Sequence, residues 1–141
     1  LNGGKLAGIL LESIGAGTQI SHLAIGIGVN LADAPEQSQV EAGAMRPVSL
    51  LSETGVSITP EDFLDLLASA YARLETQFTT YGFASIRESW LARAAKLGEV
   101  ITARTMTSET TGTFETVDQQ GNLVLKTPKG RVAIAAADVF F

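Results

Sequence analysis

Three features in the first half of the chain have residue types that could do chemistry. Lys5 follows the tight-turn sequence Asn2-Gly3-Gly4 and opens an apolar stretch, Leu6 to Leu11. A lysine at a strand end can lay its methylenes along apolar surface and keep its ammonium in water. It can also stand as a lone cation at the rim of a sheet, suited to a carboxylate or a phosphate. The second feature is the alternation from His22 to Asn30. Leu23, Ile25, Ile27 and Val29 point to one face, and Ala24, Gly26, Gly28 and Asn30 to the other. That second face is nearly bare backbone ending in an amide. It could admit another strand or helix at close approach, or carry a flat ligand whose heterocycle edge the Asn30 amide reads. The Gly26-x-Gly28 pair is no dinucleotide fingerprint, because no helix follows and no third glycine is in place. The third feature is the long aperiodic stretch 32–47, a connector or a lid directly after Asn30. Cation, bare platform and flap converge on one site, and the convergence favours a functional reading over three separate structural ones.

The elements that must position these residues are legible in outline. Lys5 to Glu12 reads as a strand, Ser13 to Ser21 with Gly15 and Gly17 as a hairpin loop, and His22 to Asn30 as a second strand. The first strand is apolar on both faces, as central strands are. Such a strand needs neighbours on two sides, which little of this chain can supply, so an N-terminal portion is expected to be missing from the sequence. Ser49 to Gly55 reads as a short helix with Ser49 as N-cap and Gly55 at C′. Thr59-Pro60-Glu61-Asp62 opens a longer helix, with apolar residues at Phe63, Leu67, Ala70, Leu74, Phe78 and Tyr81, ended by Gly82. A further helix is expected over about Ala84 to Ala95, with Ile86, Trp90 and Ala94 on one side and Gly98 as its stop.

After Gly98 the composition turns to Thr, Val, Ile and turn residues. Val100 to Met106, Gly112 to Val117, Asn122 to Thr127 and Arg131 to Ala135 read as short strands, joined by turns at 118–121 and 127–130. The expected fold class is α+β. A partial mixed or antiparallel sheet with helices on one face would occupy residues 1–97, and a small SH3-like β-barrel residues 98–141. Trp90 reads as a core residue at the junction of the two. His22 reads as a loop-end histidine, Glu61, Asp62 and Asp65 as a solvated helix face, and Asp118 as a turn former.

Composition excludes several classes of function. The 141 residues include no cysteine, which removes disulfides, thiol catalysis and cysteine-ligated zinc and suits an intracellular, cytoplasmic protein. With one histidine besides, a structural transition-metal site is not expected. A net charge of −5 without a Lys/Arg cluster argues against nucleic acid as the main partner. The apolar runs are too short to span a bilayer, and no signal peptide is visible.

The stretch Lys5-Leu6-Ala7-Gly8-Ile9-Leu10-Leu11-Glu12 closely resembles the K-L-A-G-I-L-hydrophobic-E strand of biotin–protein ligases. Ile25-Gly26-Ile27-Gly28-Val29-Asn30-Leu31 resembles that family's following G-I-G-hydrophobic-N strand at the expected separation. Pro47-Val48-Ser49-Leu50 looks like the entry to its short helix. The stretch from Trp90 to Gly98 and the pattern Gly112-x-Phe114…Asp118-x-x-Gly121-x-Leu123-x-Leu125 look like its C-terminal domain. The resemblance covers essentially the whole chain.

It implies a class II synthetase-like catalytic fold and an ATP-dependent ligase working in two steps. Biotin and ATP, with Mg2+ on the nucleotide, would give biotinyl-adenylate, and a lysine of a biotin carboxyl carrier protein would then take the biotin. Carried over residue by residue, it makes Lys5 the catalytic cation for carboxylate and phosphate. It places the backbone of Gly8 near biotin, Gly26 and Gly28 beneath the ligand, and Asn30 against the nucleotide. Residues 32–47 correspond to the loop that folds over the adenylate. They hold no aromatic residue, which leaves Met45, Arg46 or no side chain to cover the adenine. The family's glycine- and arginine-rich biotin loop and its W-P-N-D motif are absent, so this piece alone is expected to be inactive, and a homodimer is possible. Two other readings stand beside it: a lipoate or octanoate transfer relative, and a non-catalytic module whose barrel docks a carrier domain or helps dimerisation.

Overall fold

The structure, a computed structural model, describes residues 1–16, 19–41, 43–135 and 138–140. They fall into two compact units, Leu1–Ala68 and Ser69–Phe141.

The first unit is built on an antiparallel ribbon of β1 (Ala7–Ala16) and β2 (Gln19–Val29). Both strands run further than expected. Most of the segment 13–21 is strand and not loop, because the ladder absorbs Gly15 through a register shift at Ile14/Gly15. His22 therefore lies within β2, opposite Ile14, and not at a loop end. Gly17 and Thr18, the remainder of the expected loop, lie outside the described residues. Lys5 is likewise not part of β1. It forms an isolated parallel bridge with Pro47, ahead of the ribbon.

The turn before Lys5 is as expected. Asn2 and Gly3 take φ of 51° and 78°, the left-handed region that Asn and Gly tolerate. The Gly4 N–H closes the turn on the Leu1 carbonyl at 2.8 Å. Residues 32–47 carry one 3-10 turn, Gln37–Gln39, and residue 42 lies outside the described set. Helix α1 (Leu50–Thr54) follows. Its N-cap Ser49 exchanges side-chain and backbone bonds with Ser52, and Gly55 at φ 73° ends it.

Helix α2 (Pro60–Tyr81) begins where Thr59 Oγ1 accepts from the Asp62 N–H at 3.1 Å. It stops at Gly82, φ 75°. The boundary between the two units falls within it, after Ala68. Glu61, Asp62 and Asp65 are exposed, as a solvated face requires. Helix α3 (Phe83–Leu91) is shorter than expected. After Ala92 the chain makes turns, with Lys96 at φ 63° and Gly98 at φ 84°, which an α-helix cannot include.

The second unit's sheet has five antiparallel strands: β3 (Val100–Arg104), β4 (Glu109–Val117), β5 (Leu123–Thr127), β6 (Gly130–Ile134) and β7 (Asp138–Phe140), in the order β6-β5-β4-β3-β7. β6 and β7 are the edges and do not pair among the described residues, so hydrogen bonding there does not close this sheet into the expected barrel. Its core is Ile101, Ala103, Phe114, Leu125 and Ile134, with Leu91, Ala94, Val117, Leu123 and Val132 packed around it. Met106, expected as the end of a strand, is fully exposed in the turn between β3 and β4. Trp90 is not the buried residue its type suggests. It is 53% exposed, with its ring tilted against Phe114 at 6.3 Å between centroids.

Asp118 organises the β4–β5 turn. Its carboxylate accepts from the Asn122 side-chain amide and from the backbone N–H groups of Asn122 and Gln120, each at 2.9 Å. The Asn122 amide, first, and these N–H groups hold the Asp118 carboxyl below its ordinary 3.8. A depressed folded-state pKa means stabilisation that is present above the ordinary value and lost as pH falls through the folded one. Asp118→Asn is therefore expected to be less stable than the parent at pH 7, and the gap is expected to close on acidification below 3.8. Urea unfolding followed by the fluorescence of Trp90, the one tryptophan, checks this at both pH values.

Candidate functional site

The glycines of the first unit meet on one face. In the β1–β2 register Gly8 lies opposite Gly28 and Leu10 opposite Gly26. Directly opposed residues of an antiparallel pair project to the same side, so Gly8, Gly26 and Gly28 share a face with Leu10. A Cβ added at Gly8 or Gly28 would meet nothing within 4 Å, and at Gly26 only Leu10 atoms at 3.6 and 3.8 Å. Among the described residues, then, no strand or helix packs against this backbone. Sequence reasoning missed Leu10 as the apolar side chain on the glycine face. Its parity with Gly8 along one strand was the available signal.

Lys5 and Asn30 come together through the backbone of Lys5. The Lys5 N–H donates to the Arg46 carbonyl at 2.8 Å, and the Val48 N–H donates to the Lys5 carbonyl at 3.1 Å. Lys5 is thus strung into the returning limb of the 32–47 loop. The Asn30 amide donates to the Val48 carbonyl at 3.0 Å and lies 3.4 Å from that of Lys5. Asn30 N–H bonds to Leu6, and its carbonyl accepts from the Leu50 N–H at 2.8 Å. In this structure the Asn30 Nδ2 serves as a clasp between the end of β2, Lys5 and the loop. The Lys5 side chain is exposed, and its ammonium has no hydrogen-bond or ion-pair partner among the described residues. That leaves its charge available to an anion.

The two limbs of the loop line a cleft of about 390 Å³, with Ala32 to Gln37 on one part and Arg46 to Ser49 and Ser52 on the other. The cleft wall at Pro47 and Val48 is the segment that pairs with Lys5. Val48 is buried at 1% exposure against Gly4. A Cβ at Gly4 would run into both methyls of Val48, so the glycine is required by close approach. Met45 is 38% exposed. The Arg46 guanidinium is occupied by Glu53 at 3.0 Å. Glu53 also accepts from the Asn2 amide at 3.1 Å. The Asn2 amide, first, and Arg46 hold the Glu53 carboxyl below its ordinary 4.5. Nothing local in the sequence singles out Glu53, which reads as an ordinary acid in the first turn of a short helix.

The site thus combines an open glycine surface carrying Leu10, a lysine whose ammonium has no partner among the described residues, and a loop-walled cleft beside it. Residues 96–141 match the biotin protein ligase C terminal domain. Over all 141 residues the chain is 60% identical to the biotin--[acetyl-CoA-carboxylase] ligase of Paracoccus denitrificans, of which it covers 59%. It is 27% identical to the bifunctional ligase/repressor BirA of Bacillus subtilis, covering 42% of that protein. The chain thus spans little more than half the length of the first relative and less of the second. The fold is that of the biotin protein ligase of Aquifex aeolicus. The apo structure superposes with a TM-score of 0.81 at 19% identity, over 99% of this chain and 60% of that one. The structure in complex with biotin and ATP gives 0.77 at 19% identity, over 97% and 55%. Over its whole length the chain is thus similar to part of the Paracoccus ligase.

The two kinds of glycine separate experimentally. Gly4→Ala is expected to destabilise the protein by about 1–3 kcal/mol through overpacking against Val48. Gly28→Ala, with open space for its methyl, is expected to stay within about 0.5 kcal/mol of the parent. Chemical denaturation of the two variants side by side checks the contrast.

Proposed function

We propose that the full-length protein attaches biotin to a lysine of a biotin carboxyl carrier protein through a biotinyl-adenylate. The carrying observation is that Lys5, with an ammonium unpaired among the described residues, is fixed by its backbone at the end of a ribbon whose glycine face is open. The 60% identity with the Paracoccus ligase over all 141 residues supports the reading. The assignment of residues 1–97 to the catalytic domain and 98–141 to an SH3-like C-terminal domain belongs to the same proposal. So do a complementary N-terminal half of the catalytic domain, a homodimer and action in the cytoplasm. Among the described residues no helix is long and apolar enough to cross a membrane.

In the first step the biotin carboxylate oxygen attacks the α-phosphorus of ATP. The new C–O–P link forms as the bond between the α- and β-phosphates breaks and pyrophosphate leaves. Two anions must approach each other, so a positioned cation lowers the barrier more than it stabilises either reactant apart. In this reading Lys5 takes that role. Gly8, Gly26 and Gly28 let the ring system of biotin lie on backbone, with Leu10 as an apolar contact on the same face. Asn30 and the 32–47 loop border the nucleotide, with Mg2+ entering on its phosphates. In the second step a neutral lysine amine of the carrier attacks the acyl carbon, AMP departs and the amine proton is lost to solvent or base.

Replacing Lys5 by Ala is expected to slow biotin transfer about 10²–10³-fold, the usual cost of removing one electrostatic donor. The assay incubates full-length protein with biotin, Mg-ATP and an apo carrier domain, with lipoate as competitor, and reads attached biotin on a streptavidin blot. ATP-dependent labelling that ignores lipoate and collapses in the variant is the expected result. Labelling by Lys5→Ala at the parent's rate would remove Lys5 from the mechanism. Suppression by lipoate would move the protein to the lipoate-transfer relatives.

A further inference from the structure

Glu53 has no role in the reading above, yet its side chain bridges two segments of the site. It is only 14% exposed. One carboxylate oxygen accepts from Asn2, three residues ahead of Lys5, and the other from Arg46, whose carbonyl receives the Lys5 N–H. Asn2 holds a left-handed φ of 51°, so its side chain ties down a turn that is conformationally costly to keep. An isolated exposed ion pair contributes little. This one differs because a single carboxylate joins two segments that are distant in sequence and flank the same lysine.

We propose that Glu53 is a positioning residue for Lys5. Its two oxygens tie the turn leading into Lys5 to the loop segment on which the Lys5 backbone rests, and so fix where the ammonium stands relative to the glycine face. The proposal rests on the reading of Lys5 as the cation of adenylate formation. Asn30 closes the clasp from the other side by holding the Val48 carbonyl. With both fastenings present, the first atoms of the lysine stem are set, and only its methylenes remain to be ordered by the substrates. Without Glu53 the Asn2 side chain and the Arg46 guanidinium lose their common anchor, and the lysine stem gains freedom although its backbone stays paired. Displacements of this size at a reacting centre cost rate even when the fold survives.

The test is a double-mutant cycle in the full-length protein, reading pyrophosphate release with biotin and Mg-ATP. Glu53→Ala is expected to slow adenylate formation about tenfold in the unaltered background and less than about twofold in the Lys5→Ala background, because residues acting as a unit are not additive. Amide exchange at Lys5 and Val48 is expected to quicken in Glu53→Ala, while exchange in β3 to β5 stays unchanged. Glu53→Gln, which keeps the volume and one acceptor, is expected to recover part of the rate, and it carries the same cycle if the alanine variant fails to fold. An undiminished rate in Glu53→Ala, or an equal loss in both backgrounds, overturns the positioning role and leaves the ligase reading intact. A parent that forms no biotinyl-adenylate refutes the ligase reading, and the proposal falls with it.

Discussion

The first unit depends on how the backbone of Lys5 is paired. Its N–H and carbonyl are both taken by the loop limb at Arg46 and Val48, more than forty residues along the chain. The end of β2, the entry to α1 and the wall of the cleft are all fastened to the same short segment, through Asn30, Ser49 and Val48. Backbone hydrogen bonds are suited to this because they fix position without consuming the side chain. The ammonium keeps no partner among the described residues while the peptide beneath it is held. The close fit of Gly4 on Val48 and the two-oxygen grip of Glu53 secure the same segment.

The glycine face works by the opposite device. A side chain at Gly8 or Gly28 would stand in open space, so nothing in the described fold requires glycine there. Glycine in a strand interior loses packing and costs conformational entropy. Three such residues on one face, with Leu10 between them, are therefore best explained by something that lies on the backbone from outside. The other face of the ribbon, with Ile9, Leu11, Ile25 and Ile27, is also exposed in this chain. The second unit contrasts with both, since its sheet buries a conventional apolar core around Phe114 and Leu125.

How far the sequence could be read follows from the range of the interactions involved. The glycine alternation from His22 to Asn30, the Ser49 and Thr59 caps and the stops at Gly55 and Gly82 are local, and each stands where its residue types put it. The Asp118 turn is local too. The errors came where distant residues decide. Lys5 was read into β1, but its partners are Arg46 and Val48. The 13–21 segment was read as loop from its glycines, but a bulged ladder accommodates Gly15. Asn30 was read only as a ligand contact, whereas its amide also holds the protein's own carbonyls. Trp90 reads as a core residue at the domain junction, but its indole is half exposed, with one side against Phe114. Glu53 left no trace in the local pattern, because both of its partners come from other segments.

The placement of Lys5 against a ligand on the glycine face is the central claim, and a crystal structure of the full-length protein with biotin and a non-hydrolysable ATP analogue tests it most directly. The account predicts the biotin rings lying on Gly8, Gly26 and Gly28 beside Leu10, with the Lys5 Nζ within about 3 Å of the carboxylate or the α-phosphate, the spacing of a charge-assisted hydrogen bond. A ligand bound elsewhere, or a Lys5 ammonium turned away from both anions, would contradict it.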